Sequence, residues 1–368
     1  MAWPASSGMY EYRHGGNAAY ETGNEGVIDL SASINPLGAP ENVREAIAGA
    51  IAGCARYPDS SSARLRERLA EYENVSPGQI FCGNGASDII FRLPKASRAA
   101  SALVTAPAFS DYERSAASGG LKIIRHALSP ENGFAVDTRF METAMEAKPG
   151  LVFLCNPNNP TGRLIEKRTV AELLKRCEGF GALVAIDECF LGFAKRRDEF
   201  ASVPLTQSHK NLIVIKAFTK LFALPGIRLG YAICSDADII GGLYAHGCDW
   251  PVSNLAQAAG VAALTGVWDY VDKTAEFVSR EREFLESGLS RMGFQVFPAA
   301  ANYVFFRNPF PFDLREELDK KGIRVRSCGD FHGLDKSYCR AAVSGHENNR
   351  LFLDAAFNLT KKYIQKVT

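Results

Sequence analysis

Lys220 and Arg228 stand eight residues apart in a segment that follows a short apolar run at 212–215 and reads as a non-repetitive loop. Walls such as Phe218, Leu221 and Phe222 favour loss of the lysine proton, which leaves an amine able to capture a carbonyl carbon. The arginine suits a bidentate grip on phosphate. An amine and a phosphate clamp together are what pyridoxal 5′-phosphate (PLP) requires. That cofactor also needs a buried carboxylate beside its pyridine nitrogen, so that the ring stays protonated and accepts electrons. Asp187, at the end of the apolar run 183–186, can fill that role or can cap the next segment. Asn159, in the turn Asn156-Pro157-Asn158-Asn159-Pro160-Thr161-Gly162, can donate to the ring 3-oxygen. Gly85-Ala86-Ser87 opens an expected helix and offers backbone N–H groups to a phosphate, and Phe109 can stack on the ring.

These residues need elements to hold them. Apolar runs at 151–155, 183–186, 212–215 and 229–233 predict buried strands. Val170, Leu173, Leu174 and Cys177 recur at helical spacing between the first two runs, which predicts βαβ units and a largely parallel sheet. Asn159, Asp187 and Lys220 each follow a different strand, and ligands in open α/β sheets bind beyond the carboxyl ends of strands. The last third reads as α+β: helix through about 270–292, strand at 303–306, helix near 314–321, strand at 323–326. The fold class expected is therefore α/β, a large domain with a mostly parallel sheet flanked by helices plus a smaller α+β domain. The expected divisions are an N-terminal arm over 1–40 that contributes to the small domain and substrate site, a PLP-binding domain over 41–250, and connecting helices with the small domain over 251–368.

A length of 368 residues suits about two domains. A net charge of +1 with no basic stripe argues against nucleic acid and membrane surfaces as partners. The start has no basic segment followed by an apolar core, and no apolar run approaches a bilayer's span. Nine cysteines, an odd number with no C-x-x-C pair, indicate reduced thiols and no zinc site, in keeping with a cytoplasmic protein without a metal.

In combination, Asn-Pro-Thr-Gly at 159–162, Asp187-Glu188, and Lys220 with Arg228 resemble the fold-type I aminotransferases, in order and spacing and over essentially the whole chain. The resemblance implies that Lys220 carries PLP covalently and moves protons at the substrate Cα. Asp187 would pair with the pyridine nitrogen, and Asn159 and Arg228 would hold ring oxygen and phosphate. It implies a homodimer in which Tyr57, within Arg56-Tyr57-Pro58-Asp59, reaches the second copy's cofactor phosphate, and a cis Asn159-Pro160 bond. Two positions depart from the family's pattern. Ala217 replaces a frequent serine, which shifts phosphate binding onto Thr219, and Phe190 replaces a frequent tyrosine near the ring oxygen.

The N-terminal segments His14-Gly15-Gly16-Asn17 and Ser33-Ile34-Asn35-Pro36-Leu37-Gly38 resemble the threonine-phosphate decarboxylase branch, which lies close to histidinol-phosphate aminotransferases. Gly15-Gly16 would free amides for an anion. His14 and Asn35 would join Arg326 on the substrate phosphate, and Arg340 would hold the carboxylate. An amino-acid phosphate needs two such separate cationic grips. The resemblance implies decarboxylation of L-threonine O-3-phosphate. Transamination of histidinol phosphate or a related amino acid uses the same lysine, and a non-catalytic PLP-binding role is a third alternative. The outcome turns on which Cα bond is held perpendicular to the ring.

Overall fold

The computed structural model describes residues 15–16 and 26–367. Its strands, in chain order, are β1 (Ile28–Leu30), β2 (Ile80–Gly83), β3 (Ser101–Ala106), β4 (Lys122–Ala127), β5 (Leu151–Cys155), β6 (Leu183–Asp187), β7 (Leu212–Ala217), β8 (Gly230–Cys234), β9 (Gln295–Phe297), β10 (Tyr303–Arg307), β11 (Ile323–Ser327) and β12 (Tyr338–Ala342). They form a seven-stranded sheet ordered β2-β8-β7-β6-β5-β3-β4 and a five-stranded sheet ordered β1-β11-β12-β10-β9.

The expected buried strands read as continuous apolar runs because both faces of the large sheet are covered. On β5, β6 and β7, alternate side chains go to opposite cores. Val152, Leu154, Val184, Ile186, Leu212 and Val214 join one, which also takes Val170, Leu173, Leu174 and Cys177 of the helix Lys167–Glu178. Leu151, Phe153, Leu183, Ala185, Ile213 and Ile215 join the other, against the helices Gly85–Ala96 and Ser110–Ser118. Each fully buried branched side chain contributes about 1.5–3 kcal/mol relative to exposure. The strands β4, β3, β5, β6 and β7 run parallel, whereas β8 is antiparallel to both β7 and β2. The segment between β7 and β8 holds only a single helical turn, and a parallel return needs a longer crossover.

In the smaller sheet β1 pairs in parallel with β11, placing Ile28 beside Ile323 and Leu30 beside Val325. The N-terminal strand is thus built into the same layer as the C-terminal strands. The helices Val267–Arg291 and His346–Val367 pack on one another beside this sheet. Among the described residues, no helix is long and apolar enough to cross a membrane.

Beneath the Lys220 segment lies a buried ionic cluster. Lys216 Nζ is 2.9 Å from both carboxylate oxygens of Glu73 and 3.9 Å from Glu188 Oε2, and the Tyr231 hydroxyl donates to Glu73. Glu188 also accepts from the Ser202 amide at 2.6 Å, and burial pushes its carboxyl up to about 7. The cluster ties the helix Ala63–Glu73 to β7 and β8. Removing one partner of a buried ion pair leaves an uncompensated charge. Lys216→Met should therefore lower unfolding stability by roughly 3 kcal/mol, read as a shift of the urea midpoint. The double variant Lys216→Met/Glu73→Gln should recover part of that loss, and additive losses would contradict the coupling.

Candidate active site

Four strand ends of the large sheet open into one cavity of about 580 Å³. Phe109 follows β3, Asn159 follows β5, Asp187 ends β6 and Lys220 follows β7. The small sheet closes the cavity with Arg326 from β11 and Arg340 from β12, which face each other in register.

Lys220 lies on one turn of helix, Phe218–Leu221, and not in an irregular loop. That turn is short because Phe218 and Leu221 are core side chains while the chain must come straight back as β8. Asn35 holds its C-terminal end. The Asn35 amide donates to the Lys220 carbonyl at 3.1 Å. The Asn35 side-chain nitrogen lies 2.7–2.9 Å from the Leu221 carbonyl and the Tyr270 and Thr274 hydroxyls. These contacts satisfy carbonyls that a helix end leaves open. The expected place of Asn35 on a substrate phosphate is not what the structure shows: Asn35 does not line the cavity, its side-chain nitrogen serves the lysine turn and its side-chain oxygen accepts from the Leu37 amide at 3.0 Å.

Burial depresses the Lys220 amine to about 8, with the positive charges of Arg340 and Arg228 adding to the effect and the Cys189 thiol and Asp187 opposing it. The ammonium lies 5.8 Å from the centre of the Phe190 ring. Asp187 is buried, which raises its carboxyl above the ordinary range. The Cys189 amide at 2.9 Å, the Tyr112 hydroxyl at 2.7 Å and the Lys220 charge oppose that rise. Tyr112, three residues after Phe109, also lines the cavity, and no motif in the sequence reveals it.

Gly85 adopts φ +78°, and a Cβ there would come within 2.5 Å of Arg228 Nη2. Glycine thus lets the guanidinium rest against the first turn of the helix Gly85–Ala96. Ala86, Ser87, Thr219 and Arg228 line the cavity too, and helix-end amides beside a guanidinium suit an anion. The Ser87 hydroxyl is engaged by Asp111 at 3.1 Å.

Asn159 accepts from Arg340 through its amide oxygen, so its NH2 remains to donate to a ligand. Its bond to Pro160 is cis. Arg340 also donates to the Ser31 carbonyl at 3.2 Å and lies over Tyr303, 4.9 Å from the ring centre. Tyr57 is placed elsewhere. It is 79% exposed and stacks on Trp250 at 4.5 Å, on the surface and outside the cavity. His14 lies outside the described residues. The Gly16 amide donates to the Ser31 hydroxyl at 3.1 Å, and a Cβ on Gly15 would meet the Ser31 carbonyl at 2.2 Å. The glycine pair therefore permits close packing on Ser31, and Gly16 does not offer a free amide to an anion.

The residues fit PLP. A desolvated amine, a buried carboxylate, a glycine-opened cradle with an arginine, and an aromatic side chain surround one space. The site also accounts for what the chain is similar to. The model for aminotransferase class I and II matches residues 25–353, and the chain belongs to that family. It is 31% identical over 359 residues to the threonine-phosphate decarboxylase of Salmonella typhimurium, covering 95% of this chain and 97% of that one. It is 33% identical over 353 residues to the histidinol-phosphate aminotransferase of Methanothermobacter thermautotrophicus, covering 93% and 91%. Among solved structures, the histidinol-phosphate aminotransferase from Clostridium acetobutylicum superposes with a TM-score of 0.85 at 30% identity, covering 91% of this chain and all of that one. The protein is a PLP-dependent enzyme.

The neutral form of Lys220 is the nucleophile, so capture of PLP by the apoprotein should slow as pH falls. With the amine at about 8, the neutral fraction drops about tenfold between pH 7 and pH 6. Capture rates followed by cofactor absorbance should level off above about pH 8. Arg340→Met removes a positive neighbour and should move that midpoint upward. A wild-type midpoint near that of free lysine would contradict the desolvated amine.

Proposed function

We propose that this enzyme decarboxylates L-threonine O-3-phosphate to (R)-1-amino-2-propanol O-2-phosphate in cobalamin biosynthesis. The observation that carries the reading is the pair of arginines at partner positions of β11 and β12, both lining the cavity, which would supply one grip for a phosphate and one for a carboxylate. A relative named for this activity, matched along nearly its whole length, supports it. When bound, PLP supplies an electron sink for the charge left at Cα. Asp187 holds the proton on the pyridine nitrogen, and Tyr112 holds Asp187 by donating to it. The Asn159 NH2 would donate to the ring 3-oxygen, and Arg228, Thr219 and the amides of Gly85, Ala86 and Ser87 would hold the cofactor phosphate, with Phe109 available to stack on the ring. Arg340 binds the substrate carboxylate and Arg326 the substrate phosphate. Lys220 delivers a proton from Nζ to Cα after the bond to the departing CO2 breaks.

A specific contact favours the alternative, transamination of histidinol phosphate or a related amino acid. Arg340 is bonded to Asn159, the residue assigned to the ring 3-oxygen. With Arg340 engaged by Asn159 and not held free for a carboxylate, a substrate such as histidinol phosphate, which has no carboxylate, would still fit, and Cα–H would be the bond broken. The purified enzyme should release CO2 from L-threonine O-3-phosphate without forming a 2-oxo acid. A 2-oxo product with no CO2 would establish the alternative. Lys220→Ala should abolish either reaction and leave PLP bound only non-covalently.

The exposed Tyr57 supports a homodimer in which its hydroxyl reaches the cofactor phosphate of a second copy. Loss of one hydrogen bond to a charged group corresponds to about 1.5–3 kcal/mol. Tyr57→Phe should therefore weaken PLP affinity about tenfold or more, measured by cofactor dissociation. Unchanged affinity would remove Tyr57 from the site.

A further inference from the structure

Arg326 and Arg340 occupy paired positions on neighbouring strands and line the same cavity, yet their counter-charges differ. Arg340 is buried and, among the described residues, its partners are the Asn159 amide oxygen, the Ser31 carbonyl and the face of Tyr303, with no carboxylate in hydrogen-bond contact. Arg326 is already paired. Its Nη2 donates to Asp330 Oδ2 at 2.6 Å and its Nη1 to the Ser327 carbonyl at 2.7 Å, with the Phe331 ring 5.4 Å away. The Arg326 side chain is mostly enclosed, at 14% exposure, whereas Asp330 is 48% exposed. Asp330 sits on the connection between β11 and β12 and lines the cavity. An anion of the chain itself therefore reaches the guanidinium from the solvent side.

Carboxylates and phosphates bind the same N–H groups of a guanidinium fork. A phosphate that grips the fork of Arg326 through Nη2 competes with Asp330 for that nitrogen and meets its negative charge. We propose that Asp330 is a built-in competitor for the phosphate group of the substrate, occupying Arg326 until a phosphorylated ligand displaces it. The inference rests on the assignment of Arg326 to the substrate phosphate. Its consequence is selectivity. A phosphate carrying close to two negative charges at neutral pH displaces a singly charged carboxylate, whereas an unphosphorylated amino acid offers only another singly charged carboxylate, with no advantage over Asp330. The pair is open to solvent on its Asp330 side, which lets the carboxylate exchange with an incoming anion. The connection keeps a second anchor when Asp330 lets go. His332 Nε2 lies 3.4 Å from Glu113 on the helix Ser110–Ser118, and Arg125 holds the same carboxylate at 2.7 and 2.8 Å.

The test uses the PLP-loaded enzyme, so that the cofactor's own phosphate site is filled. Inorganic phosphate is titrated into wild type, Asp330→Asn and Asp330→Ala by calorimetry, and KM values are measured for L-threonine O-3-phosphate. Removing the competing pair, together with its repulsion of an incoming dianion, should tighten phosphate and lower KM about five- to tenfold in both variants. Arg326→Met should abolish the phosphate titration with or without Asp330. Unchanged or weaker phosphate binding in the Asp330 variants would overturn the inference, the latter by showing that Asp330 itself supports the ligand. Phosphate binding that survives Arg326→Met would overturn it too, by placing the anion elsewhere. The phosphate titration needs no turnover. An enzyme that releases no CO2 but binds phosphate more tightly without Asp330 would therefore lose the decarboxylase reading and keep this one.

Discussion

The Arg340 guanidinium is where the two sheets meet over the cavity. It leaves β12 of the small sheet, takes the carbonyl of Ser31 just after β1, and reaches Asn159 beyond β5 of the large sheet. Its burial without a carboxylate partner costs solvation, and burial lowers its own proton affinity. The fold meets that cost with polar oxygens and the Tyr303 ring. Its charge in turn adds to desolvation in keeping the Lys220 amine near neutrality. One buried cation thus fixes the spacing of the sheets, orients Asn159 and conditions the nucleophile. The Lys220 turn depends on a second, quieter constraint, the Asn35 side chain and amide that satisfy its carbonyl end.

Much of the large sheet was legible because burial on both faces demands unbroken apolar runs, and those runs end where polar chemistry begins. Lys220, Asp187 and Asn159 stand out for that reason: each is a polar residue immediately beyond a strand that has no use for one. The same pattern could not give the direction of β8, which depends on how little chain separates it from β7. Nor could it separate the two uses of an asparagine beside a proline. Asn159 and Asn35 look alike in sequence, yet one faces the cavity and the other is spent on backbone carbonyls. Tyr112 was hidden because its partner, Asp187, is 75 residues away. Asp330 was hidden because an exposed aspartate in a connection is the commonest thing a surface shows, and only its distance to Arg326 sets it apart.

The charges in the cavity divide by layer. Lys220, Arg228 and Asp187 belong to the large sheet and its connections, and they answer to the cofactor. Arg326, Arg340 and Asp330 belong to the small sheet and its β11–β12 connection, and under the proposed function they would answer to the substrate. Holding a cofactor requires only that the first group be kept dry and in register, which strand pairing through Cys155, Asp187 and Ile215 secures. Choosing a reaction requires that a carboxylate be held at one angle and not another, and that angle is set by where β12 lies over the large sheet. A shift of the small sheet by a fraction of a side chain would leave the cofactor site intact and change which bond at Cα stands perpendicular to the ring. This is why decarboxylases and aminotransferases can share the framework so fully. In this chain the seating of one layer on the other is held by the Arg340 bond to Asn159, the Tyr303 hydroxyl on the Asn158 carbonyl and the Ala300 amide on the Gly162 carbonyl.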